Sequence, residues 1–579
     1  MRAAALLGVL VLAKTAAVWG RPFDGGWWWP LALIWQDVAF ALGFAFFDRL
    51  LNRPKVGWLL YGLTVVYVTM NVPIMRAISS PLTWPMLRAT DSALWDSIVL
   101  YCTRTNLALV AGLLLVAGLL PMLVGRFRPR GALVPTLIAL AVVAMGRFAS
   151  GRVDSAGLDR NVVVTLIATA IPRVAAQRHD RTDWRVSFLE EPPVDDLHEL
   201  RGAAAGSNVL LVVLESAAAQ YLRIYGASED PMPNLTGLAG RGVTFANAYV
   251  VYPESIKGLY ALLCSRSPAF DTSPEDHEEI EVPALPALLR EAGYRTALFH
   301  SGRFAYLGMD AMVERGGFET CEDASQIGGN FESSFGVDEE TTVEHVLDWI
   351  DRHAGGGPFL AAYLPVAGHH PYNTPERGPF SEREEIGRYR NALHYADQAL
   401  GRLIDGLRRR GLDRSTVIAV CGDHGQAFHQ HPGNYGHTLF LYEENVHVPL
   451  VIALPGQRTA RISRSVASTI DVAPTLLDLL GLSPPPSYEG QSLLSPQPAM
   501  ALFFTDYSLP LVGLRDGRWK FIDQVGGGEA KLFDLSRDPG ETVNLAADHA
   551  KRVAAYRERL RQWSESVRAR FARGSPGTP

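Results

Sequence analysis

The sequence predicts an α/β domain with a mainly parallel sheet, carried behind a unit of five membrane-spanning helices. Three observations predict it. Five predominantly apolar segments crowd the first 150 of the 579 residues, and from 208 to 454 short Val- and Leu-rich runs alternate with helical patterns. Acidic and imidazole side chains follow directly after those runs.

The apolar segments span 3–20, 30–47, 56–75, 106–125 and 131–148, each close to the roughly 17–25 residues a helix needs to cross a bilayer. A cleaved leader accounts for the first alone. No small-residue cleavage motif precedes "RPFDGGWWWP", and four more segments follow. Arg2, then Arg49, Arg53 and Lys55, then Arg126, Arg128 and Arg130 occupy one set of loops. Arg21, Arg76, Arg88 and Arg104 are spread thinly over the other. The positive-inside rule therefore predicts a multi-pass protein of the cell (inner) membrane with a cytoplasmic N-terminus and an extracytoplasmic, or periplasmic, main domain. Trp27, Trp28 and Trp29 fit an outer interfacial belt. The stretch 76–98 reads either as an interfacial helix or as plain loop. Lys14, inside the first segment, either marks a functional site or snorkels or faces a neighbouring helix.

Residues 151–206 turn polar and read as a linker with a short helix at 161–175. The strand candidates are "NVLLVVL" (208–214), "YRTALF" (294–299), "FLAAYLP" (359–365), "TVIAVC" (416–421) and "VPLVIAL" (448–454). Continuous apolar runs of this kind suit strands buried on both faces. Between them lie "LPALLREAG", "TVEHVLDWIDRH" and "YRNALHYADQALGRLIDGLRRRG", the last ended by Gly411. Beyond Pro484–Pro486 come short strands, then a helical stripe of Val553, Tyr556, Leu560, Trp563 and Val567. That helix either packs onto the domain or lays a basic face on anionic lipid. "ARGSPGTP" is a frayed tail.

Glu215 follows the first strand, His300 ends the second, His369 and His370 follow the third, and Asp423 with His424 follow the fourth. In open parallel sheets ligands bind beyond the carboxyl ends of the strands. Taken singly, each residue is an ordinary loop or core group; at equivalent ends of four strands they point to a site. The stretch "YPESIKGLYALLCSRSP" (252–268) leaves open whether Ser255 is a helix cap or a nucleophile. With 54 basic and 60 acidic residues and a net charge of −6, nothing favours binding to nucleic acid. Four cysteines without a CxxC pair exclude a disulfide scaffold.

"NVLLVVLES", "MPNLTGLAGRGVTFANAY", "GHHPY", "DHG", "YEENVHVPLVIA", "STIDVAPTLLDLLGL" and "GLRDGRWKFI" with "LFDLSRDPGETVNLA" resemble the sulfatase family of the alkaline phosphatase superfamily. The membrane unit makes the whole similar to lipoteichoic acid synthases and, more loosely, to phosphoethanolamine transferases. The resemblance covers nearly all of 208–545 and implies an α/β sandwich closed by a small antiparallel subdomain. It divides the chain into a membrane unit (1–150), a linker (151–206), a catalytic domain (207–486) and a C-terminal subdomain with its helix (487–579).

The resemblance further implies one divalent ion held by Glu215, Ser255, Asp423 and His424, with Ser255 as nucleophile. A carboxylate, imidazole and hydroxyl set suits manganese, zinc or magnesium, with calcium also open. His369 is implied to contact substrate and to move a proton, and His300, Arg303, His431 and His437 to surround the substrate. Lys257 either replaces the missing signature arginine as an anion ligand or is a solvated first-turn lysine. Lys257 and Leu259 stand where the family signature has proline and arginine, so no conversion of Ser255 to formylglycine is expected. Glu215-Ser216 replaces the paired aspartates. These departures favour a phosphotransferase or phosphodiesterase acting on a phosphorylated envelope lipid or glycan. The alternatives are a sulfuric ester hydrolase acting on a sulfated one, and a non-catalytic protein that binds envelope phosphate or glycan.

Overall fold

The structure, a computed structural model, describes residues 1–20, 26–88, 98–99, 101–126, 133–171, 184–191, 194–270, 282–305, 309–333, 335–495 and 497–571. Arg21, Arg128, Arg130, the part of the 76–98 stretch at 89–97 and the tail 572–579 lie outside the described residues.

Five helices form the N-terminal bundle. Four of them, Gly26–Leu51, Pro54–Ile78, Arg104–Arg126 and Leu133–Ser150, are long and apolar enough to cross a membrane. Their outward faces carry Leu59, Leu63, Leu115, Met122, Leu133 and Ile138, all exposed, the reverse of a bundle made for water. The first helix, Arg2–Val18, has 17 residues, or about 26 Å at 1.5 Å per residue against a hydrocarbon core of about 30 Å. It is nevertheless the enclosed member. Ala5, Leu6, Val9, Leu10 and Ala13 pack against Tyr61, Val65, Val68 and Ala117.

Lys14 faces its neighbours. Its Nζ lies 2.7 Å from Asp37 and donates to the carbonyls of Leu33 (2.8 Å) and Asp159 (3.1 Å). It is a buried structural ion pair, not the mark of a separate site. The stretch 76–98 holds a short helix at Trp84–Arg88, and the linker holds one at Val162–Thr169, capped by the Asn161 side chain.

The strands are β1 (Asn208–Leu214), β2 (Val243–Tyr249), β3 (Arg295–His300), β4 (Thr320–Glu322), β5 (Phe359–Leu364), β6 (Thr416–Gly422), β7 (Ala427–Phe428), β8 (Tyr435–Gly436), β9 (Leu450–Ala453) and β10 (Arg461–Ser468). Eight of them form one sheet in the order β10-β2-β9-β6-β1-β5-β3-β4. β1 pairs in parallel with β5 and β6, and β3 with β5. β9 is the exception, antiparallel to both β6 and β2, so β2 runs the same way as β6. Alternate residues of β1 enter two cores: Val209, Leu211 and Val213 on one face, Leu210, Val212 and Leu214 on the other. The unbroken apolar run follows from that double burial. Helices Leu285–Glu291, Glu339–His353 and Glu385–Arg409 cover the sheet, and Gly411 ends the last with φ +69°.

At the C-terminus β11 (Ala501–Thr505), β12 (Leu511–Asp516), β13 (Trp519–Gln524) and β14 (Lys531–Asp534) form an antiparallel meander. The helix Ala550–Phe571 buries Val553, Tyr556, Leu560, Trp563 and Val567 against Phe504, Leu514 and Phe521 of this sheet. Packing onto the domain, rather than onto lipid, accounts for its apolar stripe.

Candidate active site

The β1–β6 register ends at Leu214 opposite Gly422, which sets Glu215 and Asp423 side by side at the carboxyl edge. Backbone strain fixes the first of these turns. Ser216 holds φ at +56°, with its N–H donating to Asp423 Oδ1 (2.9 Å) and its carbonyl accepting from the Tyr389 hydroxyl (2.6 Å). Asp423 Oδ1 also accepts from the His424 N–H at 2.6 Å, leaving Oδ2 to approach His424 Nε2 at 3.4 Å.

Ser255 begins the helix Ser255–Cys264 but does not cap it. The preceding Glu254 carboxylate accepts from the N–H groups of Ile256 and Lys257, both at 3.1 Å, and does the capping. The Ser255 hydroxyl is thereby left to the sheet edge, where Oγ donates to Glu215 Oε2 at 3.1 Å and lies 3.3 Å from His424 Nε2. Glu215, Asp423 and His424, all buried, offer ligand atoms within 4.8 Å of one another. Burial, together with the Glu215 carboxylate alongside, drives Asp423 well above the ordinary aspartate range. Burial opposes the charge on Glu215 too, yet the imidazoles of His424 and His369 hold it below its ordinary value. Two buried carboxylates beside an imidazole nitrogen and a hydroxyl are a place short of positive charge, and this donor set fits a divalent cation.

His369 reaches the same edge from the loop after β5. Its Nδ1 bonds the His370 carbonyl at 2.7 Å, and its ring lies 4.0 Å from that of Phe335. Since a carbonyl only accepts, Nδ1 carries the proton and Nε2 the lone pair. Burial keeps this imidazole below its ordinary pKa. Gly368 makes the close approach possible, because a Cβ there would lie 1.9 Å from the Glu215 carbonyl oxygen. Gly368→Ala is therefore expected to displace the loop and cut turnover by about 100-fold, measured as kcat alongside the melting temperature.

Glu339, which belongs to none of the motifs, holds this loop from beneath. Its carboxylate is buried and accepts from Ser301 Oγ (2.9 Å), the N–H groups of Val366 and Ala367 (each 3.0 Å) and the Tyr363 hydroxyl. Burial pushes its pKa up to about 7 against those four donors. Glu339→Ala leaves them unanswered and is expected to cost about 3 kcal/mol in denaturant unfolding.

His437 stacks on His424 with centroids 3.9 Å apart, and its Nδ1 lies 3.2 Å from Gln426 Oε1. Burial and the neighbouring imidazoles hold it well below its ordinary pKa. His300 is buried with Nδ1 at 2.9 Å from the Leu364 carbonyl, close enough to Glu215 and His369 for their charges to be felt. Arg303 is turned to the rim, bonded to Glu332 and, at 3.4 Å, to Ser325.

Two residues are placed differently from the sequence reading. Lys257 is 1 % exposed, so it is not a solvated first-turn lysine. Its Nζ donates to the Ala269 carbonyl (3.0 Å), lies 3.7 Å from Asp506 and sits over the Tyr252 ring, away from the role of anion ligand. His431 is drawn aside by the β7–β8 hairpin to Glu444 (2.7 Å) and the Glu541 carbonyl (3.3 Å). That cluster also contains Lys520 Nζ, fully buried and 3.0 Å from both Glu443 and Glu541, so a lysine already supplies its positive charge.

Carboxylates, imidazoles and a helix-borne hydroxyl thus meet at the carboxyl edge of a mixed eight-stranded sheet, a donor set that suits a cation. The comparisons agree. Residues 207–482 match the sulfatase family, and 433–567 match the C-terminal family described as N-sulphoglucosamine sulphohydrolase. Residues 207–482 thus form a sulfatase-family domain. Mouse arylsulfatase K is 31% identical over 264 residues, covering 40% of this chain and 46% of that one. The choline-sulfatase of Rhizobium meliloti is 26% identical over 430 residues, covering 58% of this chain and 82% of its own. The lipoteichoic acid synthase LtaP from Listeria monocytogenes shares the fold at a TM-score of 0.54 and 21% identity, over 65% of this chain and 96% of that one. The chain spans a little under half the length of the mouse, bovine and rat arylsulfatase K relatives.

Proposed function

We propose that this protein is a membrane-anchored, metal-dependent hydrolase or transferase that cleaves phosphate esters or phosphodiesters of an envelope lipid or glycan through Ser255. Residues 1–150 anchor it by five crossings with the N-terminus in the cytoplasm, 151–206 link, 207–486 carry the chemistry outside the membrane, and 487–579 close the domain. One observation carries the reading: the Ser255 hydroxyl lies 3.1 Å from Glu215 and 3.3 Å from His424, inside the cluster those two form with Asp423.

Glu215, Asp423, His424 and Ser255 would hold the cation, which when bound neutralises the carboxylates, makes the serine alkoxide accessible and offsets charge on the ester oxygens. In the first step Ser255 Oγ bonds to phosphorus as the bond to the leaving oxygen breaks, Glu215 Oε2 takes the hydroxyl proton, and the leaving oxygen takes a proton from solvent as it departs. In the second, water or an acceptor hydroxyl takes the phosphoryl group from serine. His369, neutral and with its lone pair on Nε2, suits acceptance of that hydroxyl's proton. His300, His437 and the rim residue Arg303 are proposed to flank the substrate.

A cavity of about 750 Å³ lies between the bundle and the catalytic domain, apart from the cluster around Ser255. It is lined by Trp19, Trp29 and Arg76 from the membrane unit, by Arg152 and Asp154 from the start of the linker, and by His429 and Gly433 from the other side. The curated relatives, arylsulfatase K and choline-sulfatase, favour a second reading, hydrolysis of sulfate esters. An unmodified serine favours phosphate. Rates on an aryl sulfate and a bis-aryl phosphate, measured with the same full-length preparation, separate the two: the proposal expects the phosphodiester to be cleaved faster, and a reversed order establishes the sulfatase reading.

A further inference from the structure

Among the side chains by which the membrane unit reaches the active-site loops, Tyr101 lies against the residue next to His369. Tyr101, just ahead of the helix Arg104–Arg126 and tied to it by the Asn106 amide donating to its carbonyl at 2.9 Å, lays its ring over the His370 imidazole. The centroids are 6.0 Å apart and the planes 16° apart. The Tyr101 hydroxyl is 2.9 Å from that of Tyr435. Since the Tyr435 hydroxyl donates to Glu385, Tyr101 is the donor of the tyrosine pair. Glu385 in turn lies 3.8 Å from His370 Nε2, which closes a ring of four side chains.

Two of the four sit on loops that carry the chemistry. His370 adjoins His369, whose Nδ1 bonds the His370 carbonyl, and Tyr435 lies on the segment between His424 and His437. A second tie, Gln426 Nε2 donating to the Tyr372 hydroxyl at 2.8 Å, joins the same loops from within. The outer tie belongs to a different folding unit.

We propose that Tyr101 is a positioning residue through which the docked membrane unit holds the His369 and His437 loops in register for turnover. This rests on the function proposed above. Its core is the ring contact with His370, because that contact touches the residue whose carbonyl orients His369.

The test uses the full-length protein, loaded with manganese, on a soluble bis-aryl phosphate and on an aryl sulfate, so that lipid binding plays no part. Tyr101→Ala is expected to lower kcat about 10- to 100-fold on whichever ester wild type cleaves, with KM within about two-fold and the melting temperature unchanged. Tyr101→Phe, which keeps the ring, restores kcat to within about three-fold. Hydrogen exchange over 366–373 supplies a reading independent of turnover, and Tyr101→Ala is expected to speed it about ten-fold. Wild-type kcat or unaltered exchange in Tyr101→Ala overturns the inference, as does a loss that phenylalanine fails to restore. If wild type cleaves neither ester while exchange still responds to the substitution, the proposed function fails and the loop coupling stands.

Discussion

Replacing Ser255 by alanine is expected to lower turnover on the order of 10⁴-fold while leaving the fold intact. The reasoning starts from the helix terminus. Glu254 takes the capping duty, so the bonds of the serine hydroxyl are to groups of the site itself, Glu215 and His424, and not to the helix end. Removing Oγ leaves the Ser255–Cys264 helix with its cap and its buried face, and the expected change in stability is below about 1 kcal/mol. Mass spectrometry of wild type quenched during turnover is expected to find an adduct on the peptide containing Ser255. A Ser255→Ala protein that keeps its rate, or an adduct on another side chain, removes the nucleophile.

Asp423→Asn is expected to act in two opposite directions. Activity falls on the order of 10³-fold, because one of the two buried carboxylates is no longer there to hold a cation. The metal-free protein, however, becomes more stable at pH 8, by an amount on the order of 1–3 kcal/mol. The sign follows from the raised pKa of Asp423, whose causes are burial and then Glu215. A folded aspartate that holds its proton more tightly than the unfolded chain loses stability as pH rises above the unfolded value, through the folded one. The chelated wild type therefore loses stability by this contribution as pH rises above the ordinary aspartate range, and metal restores it. Asparagine keeps the oxygen that accepts from the Ser216 and His424 N–H groups and removes the charge. Unfolding of both proteins in chelator, at pH 6 and pH 8, checks it.

Much of the catalytic half was legible because its signals are local. An apolar run such as "NVLLVVL" has one physical explanation, burial on both faces, and β1 is buried throughout. The strand order then delivers Glu215, His300, His369 and Asp423 to one edge without further information. β2, whose "VTFANAY" mixes small and polar residues, carried no such signal, although it leads directly to Ser255.

What stayed hidden depends on partners distant in the chain. Lys257 and His431 have the residue types of anion binders, but Asp506 and Ala269 claim the first, and Glu444 and Glu541 surround the second. Glu339 looks like any first-turn acid of a helix, and only the folded arrangement brings Ser301, Tyr363 and the 366–367 backbone to it. The first helix presents the same limit in the bundle: its length falls short of a full span, and its place is set by Asp37, Asp48 and the faces of three neighbours.

The most direct test of the account is anomalous diffraction from crystals of the full-length protein grown with manganese. The account predicts a single peak within about 2.0–2.6 Å of Glu215, Asp423, His424 and Ser255 Oγ together. A peak coordinated without the serine oxygen, or one seated instead among His431, Glu444 and Glu541, contradicts it.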